Sequence, residues 1–273
     1  MININYNSPI RYNTNLSKKY KSNIIIKYEN ELPGNSFNYR LYSKLLNKIN
    51  KDSVFVCYEL HINTIIQTFH NTKKKIYIFT TNSNKNKNKN KNKNLKIKYN
   101  GSNLLETIKY AKKFSNDNNL VYIDTFENSK FLDYYNDLGE EIINNIFFKN
   151  NIDYIFLSGC NIGLVKSLSN FFNKKNKKTK IISVRFNKKN KEYQQLIFKN
   201  FRNKNIINKS IEINDLYNFI HRFYISDSFL IEETSAMSIA ALNSIDIKGK
   251  NIICIITDKI KNLKSIEKIL NKN

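Results

Sequence analysis

Glycine is scarce in this chain: only six occur in 273 residues, where an average composition of about 7% would give roughly nineteen. A loop that holds a phosphate through backbone N–H groups needs glycine for positive φ and for close approach, so a phosphate site has few positions to draw on. Cysteine and histidine are equally thin, with three of each. Cys57, Cys160 and Cys254 lie far apart with no C-x-x-C pair, which removes a zinc site and a disulfide framework and leaves reduced, buried thiols. His61, His70 and His221 form no H-E-x-x-H or comparable pattern, so no metal site is expected. Long hydrophobic runs are missing too. Apolar stretches such as Ile252-Ile253-Cys254-Ile255-Ile256 stop at strand length, well short of the roughly 20 residues of a membrane-spanning helix. The opening residues 1–6 have neither the apolar core of a secretory signal nor the Arg/Ser-rich character of a transit peptide, so a cytoplasmic protein is expected.

Acidic residues are outnumbered, 22 against 46 basic ones, for a net charge of +24. Such an excess raises nucleic acid as a partner, bound with a steep dependence on salt. Lysine, however, is interleaved with asparagine nearly everywhere, most densely across residues 84–94, and no nucleic-acid motif accompanies it. Both residues have A-rich codons, so drift in AT-rich coding explains the pattern as well as selection does. The tract itself is too polar and too charged to pack and is expected to be disordered.

Short β-branched runs alternate with segments of helical period. Strands are expected at residues 24–28, 53–57, 75–80, 95–99, 121–123, 154–157, 180–184 and 252–257. Helices are expected at 39–50, 63–69, 102–115, 131–149, 164–173, 213–223, 235–244 and 264–271. Strand followed by helix, repeated, predicts an α/β protein with mostly parallel sheets, in which ligands bind where strand ends run into helices.

Residues 27–40 read Lys-Tyr-Glu-Asn-Glu-Leu-Pro-Gly-Asn-Ser-Phe-Asn-Tyr-Arg, similar to the pattern K-x-E-N-x-x-P-T-G-S-F-K-x-R. That pattern belongs to the pyridoxal-phosphate fold-type II family, the tryptophan synthase β-like serine/threonine dehydratases and cysteine synthases. The resemblance places Asn38 where the family has the lysine that forms an imine with the cofactor. Imine formation needs a primary amine. The lone pair of an amide is delocalised, so Asn38 supplies neither imine nor base, and it reads instead as a helix N-terminal residue bonding a nearby backbone amide. Lys44, six positions on, falls about 240° round a helix and faces away.

Further segments resemble the family in order. Cys57-Tyr58-Glu59-Leu60-His61 stands in place of an S-S-G-N-H loop that binds the substrate carboxylate and the cofactor's ring hydroxyl. His61 alone is retained there, Leu60 replaces the asparagine, and Glu59 brings a negative charge that opposes a carboxylate. Residues 124–128 resemble D-P-F-D-N, and residues 135–143 resemble T-I-G-E-E-I with Gly139 in register. Ser158-Gly159-Cys160-Asn161-Ile162-Gly163-Leu164 faces the phosphate cup V-P-V-G-G-G-G-L. Gly163 and Leu164 match, but Cys160, Asn161 and Ile162 replace glycines, and their Cβ atoms are expected to crowd the amides that face the phosphate. Residues 232–242 resemble E-P-T-S-A-x-A-L-A-A-L, and Thr257 falls where the family's Ser, Thr or Cys bonds the pyridine nitrogen.

The resemblance implies two three-layer α/β domains with mostly parallel sheets, in shortened form. Residues 1–37 and 137–273 make the large domain, and 38–136 the small one. It implies pyridoxal phosphate as the family cofactor, with binding here weakened or lost. The function implied is that of a catalytically inactive descendant resembling serine/threonine ammonia-lyases, in a homodimer or in a heterodimer with an active relative. The alternatives are a residual lyase that eliminates water from a small hydroxy-amino acid, and a basic nucleic-acid-binding protein.

Overall fold

Asn13 opens the first helix of the chain by accepting a hydrogen bond from the Leu16 N–H. The computed structural model describes residues 7–58, 61–81, 92–123, 129–147, 151–175, 178–186, 203–260, 266, 267 and 269. Strand β1 (Ile10–Tyr12) precedes that helix, α1 (Thr14–Tyr20), and β2 (Asn23–Tyr28) follows it, antiparallel to β1. Every residue of β2 after Asn23 is buried. Branched side chains suit a pleated surface, and burial on both faces removes the usual alternation. Two 3-10 turns, Glu29–Glu31 and Pro33–Asn35, lead out of β2, with Gly34 at φ 75° and Asn35 at φ 55° making the bend. Glycine and asparagine are the residues that tolerate that region.

Next in the chain come α2 (Tyr39–Leu46), β3 (Ser53–Val56), α3 (Ile62–Thr68), β4 (Ile76–Thr80), β5 (Leu95–Tyr99), α4 (Leu104–Asp117) and β6 (Val121–Ile123). Their strands form a parallel four-stranded sheet in the order β5-β4-β3-β6. The buried rings of Tyr42, Phe55 and Phe69 pack edge-on or tilted at 5.9 and 5.5 Å between centroids. At the start of α4, Asn103 accepts from the Glu106 N–H while the Glu106 carboxylate accepts from the Ser102 N–H, a reciprocal cap.

The remaining elements are α5 (Asn136–Ile143), β7 (Tyr154–Ser158), α6 (Ile162–Lys174), β8 (Lys180–Phe186), β9 (Ile206–Ile211), α7 (Ile213–Asp227), α8 (Glu233–Ala240) and β10 (Asn251–Ile256). They join β1 and β2 in a six-stranded sheet of order β1-β2-β10-β7-β8-β9, parallel except for the β1–β2 pair. Strand β10 is central, with Ile252 opposite both Ile24 and Tyr154. Its near-continuous isoleucine run is what a strand buried on both faces requires. Ile24, Ile26, Phe156, Ile182, Cys254, Leu216 and Ile239 belong to one buried cluster around it.

The chain divides into two units, Met1–Phe37 with Tyr135–Asn273, and Asn38–Tyr134. Each is α/β, so the expected class holds. Three elements were not expected: β1, only three residues long; α1, whose Lys-rich stretch has no acid in its first turn; and β9, half-exposed and interrupted by polar residues. The single helix expected over 131–149 is instead a 3-10 turn, Ser129–Tyr135, followed by α5. Asn145 ends it, donating to the Ile142 carbonyl and accepting from the Phe147 N–H, as asparagine competes with helix for backbone groups. Of the tract expected to be disordered, residues 84–91 lie outside the described residues. Residues 92–94 form a turn into β5, held by the Asn92 and Asn94 side chains on the carbonyls of His70 and Thr72. The helix expected at 264–271 lies mostly outside the described residues, with 266, 267 and 269 helical.

Candidate functional site

Strand β7 ends at Ser158, and the chain turns through Gly159, Cys160 and Asn161 into α6. The amides of this turn are used at short range. Gly159 N–H donates to the Val184 carbonyl at 2.6 Å, Asn161 N–H to the Ser158 carbonyl at 3.3 Å, and Cys160 N–H to Ser158 Oγ at 3.3 Å. Neither Gly159 nor Gly163 has positive φ. Gly159 serves close approach instead, because a Cβ there would lie 2.7 Å from Ser183 Oγ and 3.0 Å from the Val184 carbonyl. The Cys160 thiol is half-buried rather than buried as expected, since it sits on the turn and not in a strand. Ile162 is buried at the start of α6, with Gly163 beside it. Asn161 precedes the helix but does not cap it. Its Nδ2 donates to Thr257 Oγ1 at 3.2 Å.

From Thr257 the polar chain continues inward. Thr257 Oγ1 lies 3.0 Å from Ser235 Oγ, which donates to the Asp258 carbonyl at 3.1 Å and accepts from the Asp258 N–H at 2.8 Å. A hydroxyl has one proton. With that of Ser235 given to the carbonyl, Thr257 donates to Ser235 and accepts from Asn161. Thr257, Ser235 and Asp258 are all buried, and in this assignment the Thr257 proton is already committed.

The same loop is bound to the segment that leaves β2. Phe37 N–H donates to the Thr257 carbonyl at 2.9 Å, Lys259 N–H to the Asn35 carbonyl at 3.2 Å, and Ser36 bridges Asp258. Tyr135 stacks on Phe37 at 5.6 Å. Burial, then the carboxylates of Asp258 and Glu29, push the Tyr135 phenol well above its ordinary range. Glu232 precedes α8 and accepts from the N–H groups of Thr234 and Ser235 at 2.7 and 3.1 Å. Desolvation, then the Asp258 carboxylate, raises its carboxyl to about 7.

The other expected positions lie in the second unit. Asn38 is buried and precedes α2, its carbonyl accepting from the Tyr42 N–H. Its side chain makes no cap hydrogen bond, contrary to expectation, because its backbone is already helical at φ −63° and ψ −16°. Lys44 Nζ donates to the Tyr134 carbonyl at 2.8 Å. Cys57 is buried, with its N–H on the Phe79 carbonyl, and Tyr58 is half-buried. His61 is buried before α3, its N–H on the Tyr58 carbonyl and its ring edge-on to Tyr58 at 6.0 Å. Glu59, Leu60 and residues 124–128 lie outside the described residues. Ser235 is signalled in the sequence by its place in the 232–242 motif, and the buried Lys27 by its place at the start of residues 27–40.

Residues 3–258 match the family described as pyridoxal-phosphate dependent enzymes. The chain belongs to that family. Over 295 aligned positions it is 22% identical to the biosynthetic L-threonine dehydratase of Halalkalibacterium halodurans, covering 92% of this chain and 69% of that protein. Cysteine synthase of Entamoeba histolytica superposes with a TM-score of 0.77 at 14% identity, over 98% of this chain and 94% of its own. A fungal L-serine ammonia-lyase from Rhizomucor miehei gives 0.75 at 13% identity, over 98% of both chains. At these identities the likeness establishes the fold, the fold-type II architecture in a shortened chain. Pyridoxal phosphate is the cofactor of the family. Among the described residues no helix of this family member is long and apolar enough to cross a membrane, and no group of three or more His, Cys, Asp or Glu side chains is placed to hold a metal ion.

Proposed function

We propose that this chain is a fold-type II protein resembling serine/threonine ammonia-lyases that has lost catalysis and acts by binding. The observation that carries the reading is Asn38 at the end of the Lys27-to-Arg40 motif, where the family's imine-forming amine belongs. An amide cannot attack the cofactor aldehyde or take a proton from a substrate carbon at neutral pH. The loop and strand ends support the same reading. The family's cofactor needs donors for its phosphate at the α6 entrance and a donor for its ring nitrogen at Thr257, with the ring between them. Here the Asn161 carboxamide joins these two places directly, and the Thr257 proton goes to Ser235. The residues present therefore do not fit the cofactor in the family's manner, and no reaction step is assigned to it.

The test is the absorbance of the purified protein between about 300 and 500 nm with pyridoxal phosphate, before and after borohydride, beside an Asn38→Lys variant. The expected result is no internal imine in the native chain. A reduced adduct mapped to one lysine of the native chain would restore the lyase reading, and release of a keto acid and ammonia from serine or threonine would complete it.

A further inference from the structure

The Asn161 side chain reaches away from the helix it precedes. Asparagine in that position ordinarily turns its side-chain oxygen to the free N–H groups of the first turn, yet Asn161 makes no such bond and gives Nδ2 to Thr257 instead. The bond joins residues 96 positions apart, and its acceptor is a buried hydroxyl whose own proton runs on to Ser235 and from there to the Asp258 carbonyl. A buried hydroxyl or amide with no partner is costly. At Thr257 that cost is met from within the chain, by the Asn161 carboxamide on one side and Ser235 on the other, whereas Ser183 Oγ beside Gly159 is buried with no hydrogen-bond partner among the described residues.

We infer that Asn161 seals the former cofactor site from within: its carboxamide takes over the hydrogen bond at Thr257, so that this hydroxyl needs no bound ring. The replacement of glycine at 161 then does more than crowd the amides of the turn. Glycine has no side chain to reach Thr257, and serine is too short. The inference rests on the non-catalytic reading above but concerns different atoms, so each is open to failure alone.

The experiment uses thermal unfolding of the whole chain and its Asn161→Ser, Thr257→Val and double variants, with and without pyridoxine 5′-phosphate. That ligand carries the ring and the phosphate but an alcohol in place of the aldehyde, so it reports occupancy of the site and not imine formation. The native chain is expected to melt at the same temperature with and without millimolar ligand. Asn161→Ser is expected to lower the Tm by about 2–4 °C, and its loss and that of Thr257→Val are expected to overlap in the double variant, as for two ends of one bond. Dose-dependent stabilisation of the native chain by pyridoxine phosphate would overturn the inference, and this arm needs no variant to fold. Full additivity of the two losses would also overturn it. An imine with pyridoxal phosphate in the native chain would strike the Asn38 reading as well, and the alcohol ligand tells the two failures apart.

Discussion

The Lys27 ammonium on β2 is hydrogen-bonded to the Glu141 carboxylate on α5, 114 residues further along the chain. Lys27 is 1% exposed and Glu141 13%. Lys27 Nζ also donates to the Ser8 carbonyl at 2.6 Å, and the Glu29 carboxylate lies 3.9 Å away, held by Ser8 Oγ. Two desolvated carboxylates thus share one ammonium. A buried pair of this kind adds little over a well-packed apolar equivalent, but removing one partner strands the others. Lys27→Met is therefore expected to lower stability by about 3 kcal/mol or more in urea unfolding, and Lys27→Met/Glu141→Leu to recover part of that loss. A loss in the double variant equal to the sum of the Lys27→Met and Glu141→Leu losses would mean that the pair is not coupled.

Gly139 illustrates a glycine kept for space. Gly139 sits in α5, and a Cβ there would fall 2.5 Å from the Phe171 ring of α6, a separation that forces something to move. In an exposed helix Gly→Ala gains up to about 1 kcal/mol. Here overpacking is expected to outweigh that gain, leaving Gly139→Ala less stable by about 1–2 kcal/mol. Adding Phe171→Leu should relieve the clash, and a double variant no better than Gly139→Ala alone would refute the packing argument.

Glu232 sets a pH dependence whose sign is unusual for a carboxylate. Its folded value of about 7 lies above the ordinary 4.5, so the folded state holds the proton more tightly than the unfolded chain. Its contribution is fully present below about 4.5 and is lost as pH rises towards 7. The difference in unfolding free energy between the native chain and Glu232→Gln should accordingly shift against the native chain across that window, by about 3 kcal/mol at most. A difference that stays flat from pH 4.5 to 7 would show that the acid is not desolvated.

In the second unit, Asn103 caps α4 through its bond to the Glu106 N–H at 3.0 Å. Asn103→Ala is expected to cost about 1 kcal/mol, and Asn103→Ser to keep most of the stability. Chemical denaturation of the three forms checks the order.

The strands of both sheets were readable because isoleucine, valine and phenylalanine cluster in them. In β2 and β10 burial on both faces makes the signal a continuous apolar run. Strand β9 escaped because Ile206-Ile207-Asn208-Lys209-Ser210-Ile211 carries polar residues along a half-exposed sheet edge. The glycine replacements at 160–162 were visible as letters, and their Cβ atoms were the only consequence that letters suggest. Where the Asn161 carboxamide goes depends on Thr257, 96 residues away, and on a turn whose amides already have acceptors. The Lys27–Glu141 pair is hidden for the same reason: glutamate in an amphipathic helix ordinarily reads as solvated, and nothing local distinguishes Glu141 from Glu140, which is 46% exposed and pairs with Lys175.

Because β2 is flanked by β10, with Asn23 and Asn251 228 residues apart, the six-stranded sheet remains open through the middle until Asn251 has left the ribosome. The unit Asn38–Tyr134 is one uninterrupted stretch and has no such wait. Synthesis therefore sets an order in which the inserted unit folds first, while the edge of β2 that will meet β10 stays unpaired and only the edge toward β1 is satisfied. Pulse-labelled hydrogen exchange on nascent chains should find α4 protected before β2, and the reverse order would rule this out.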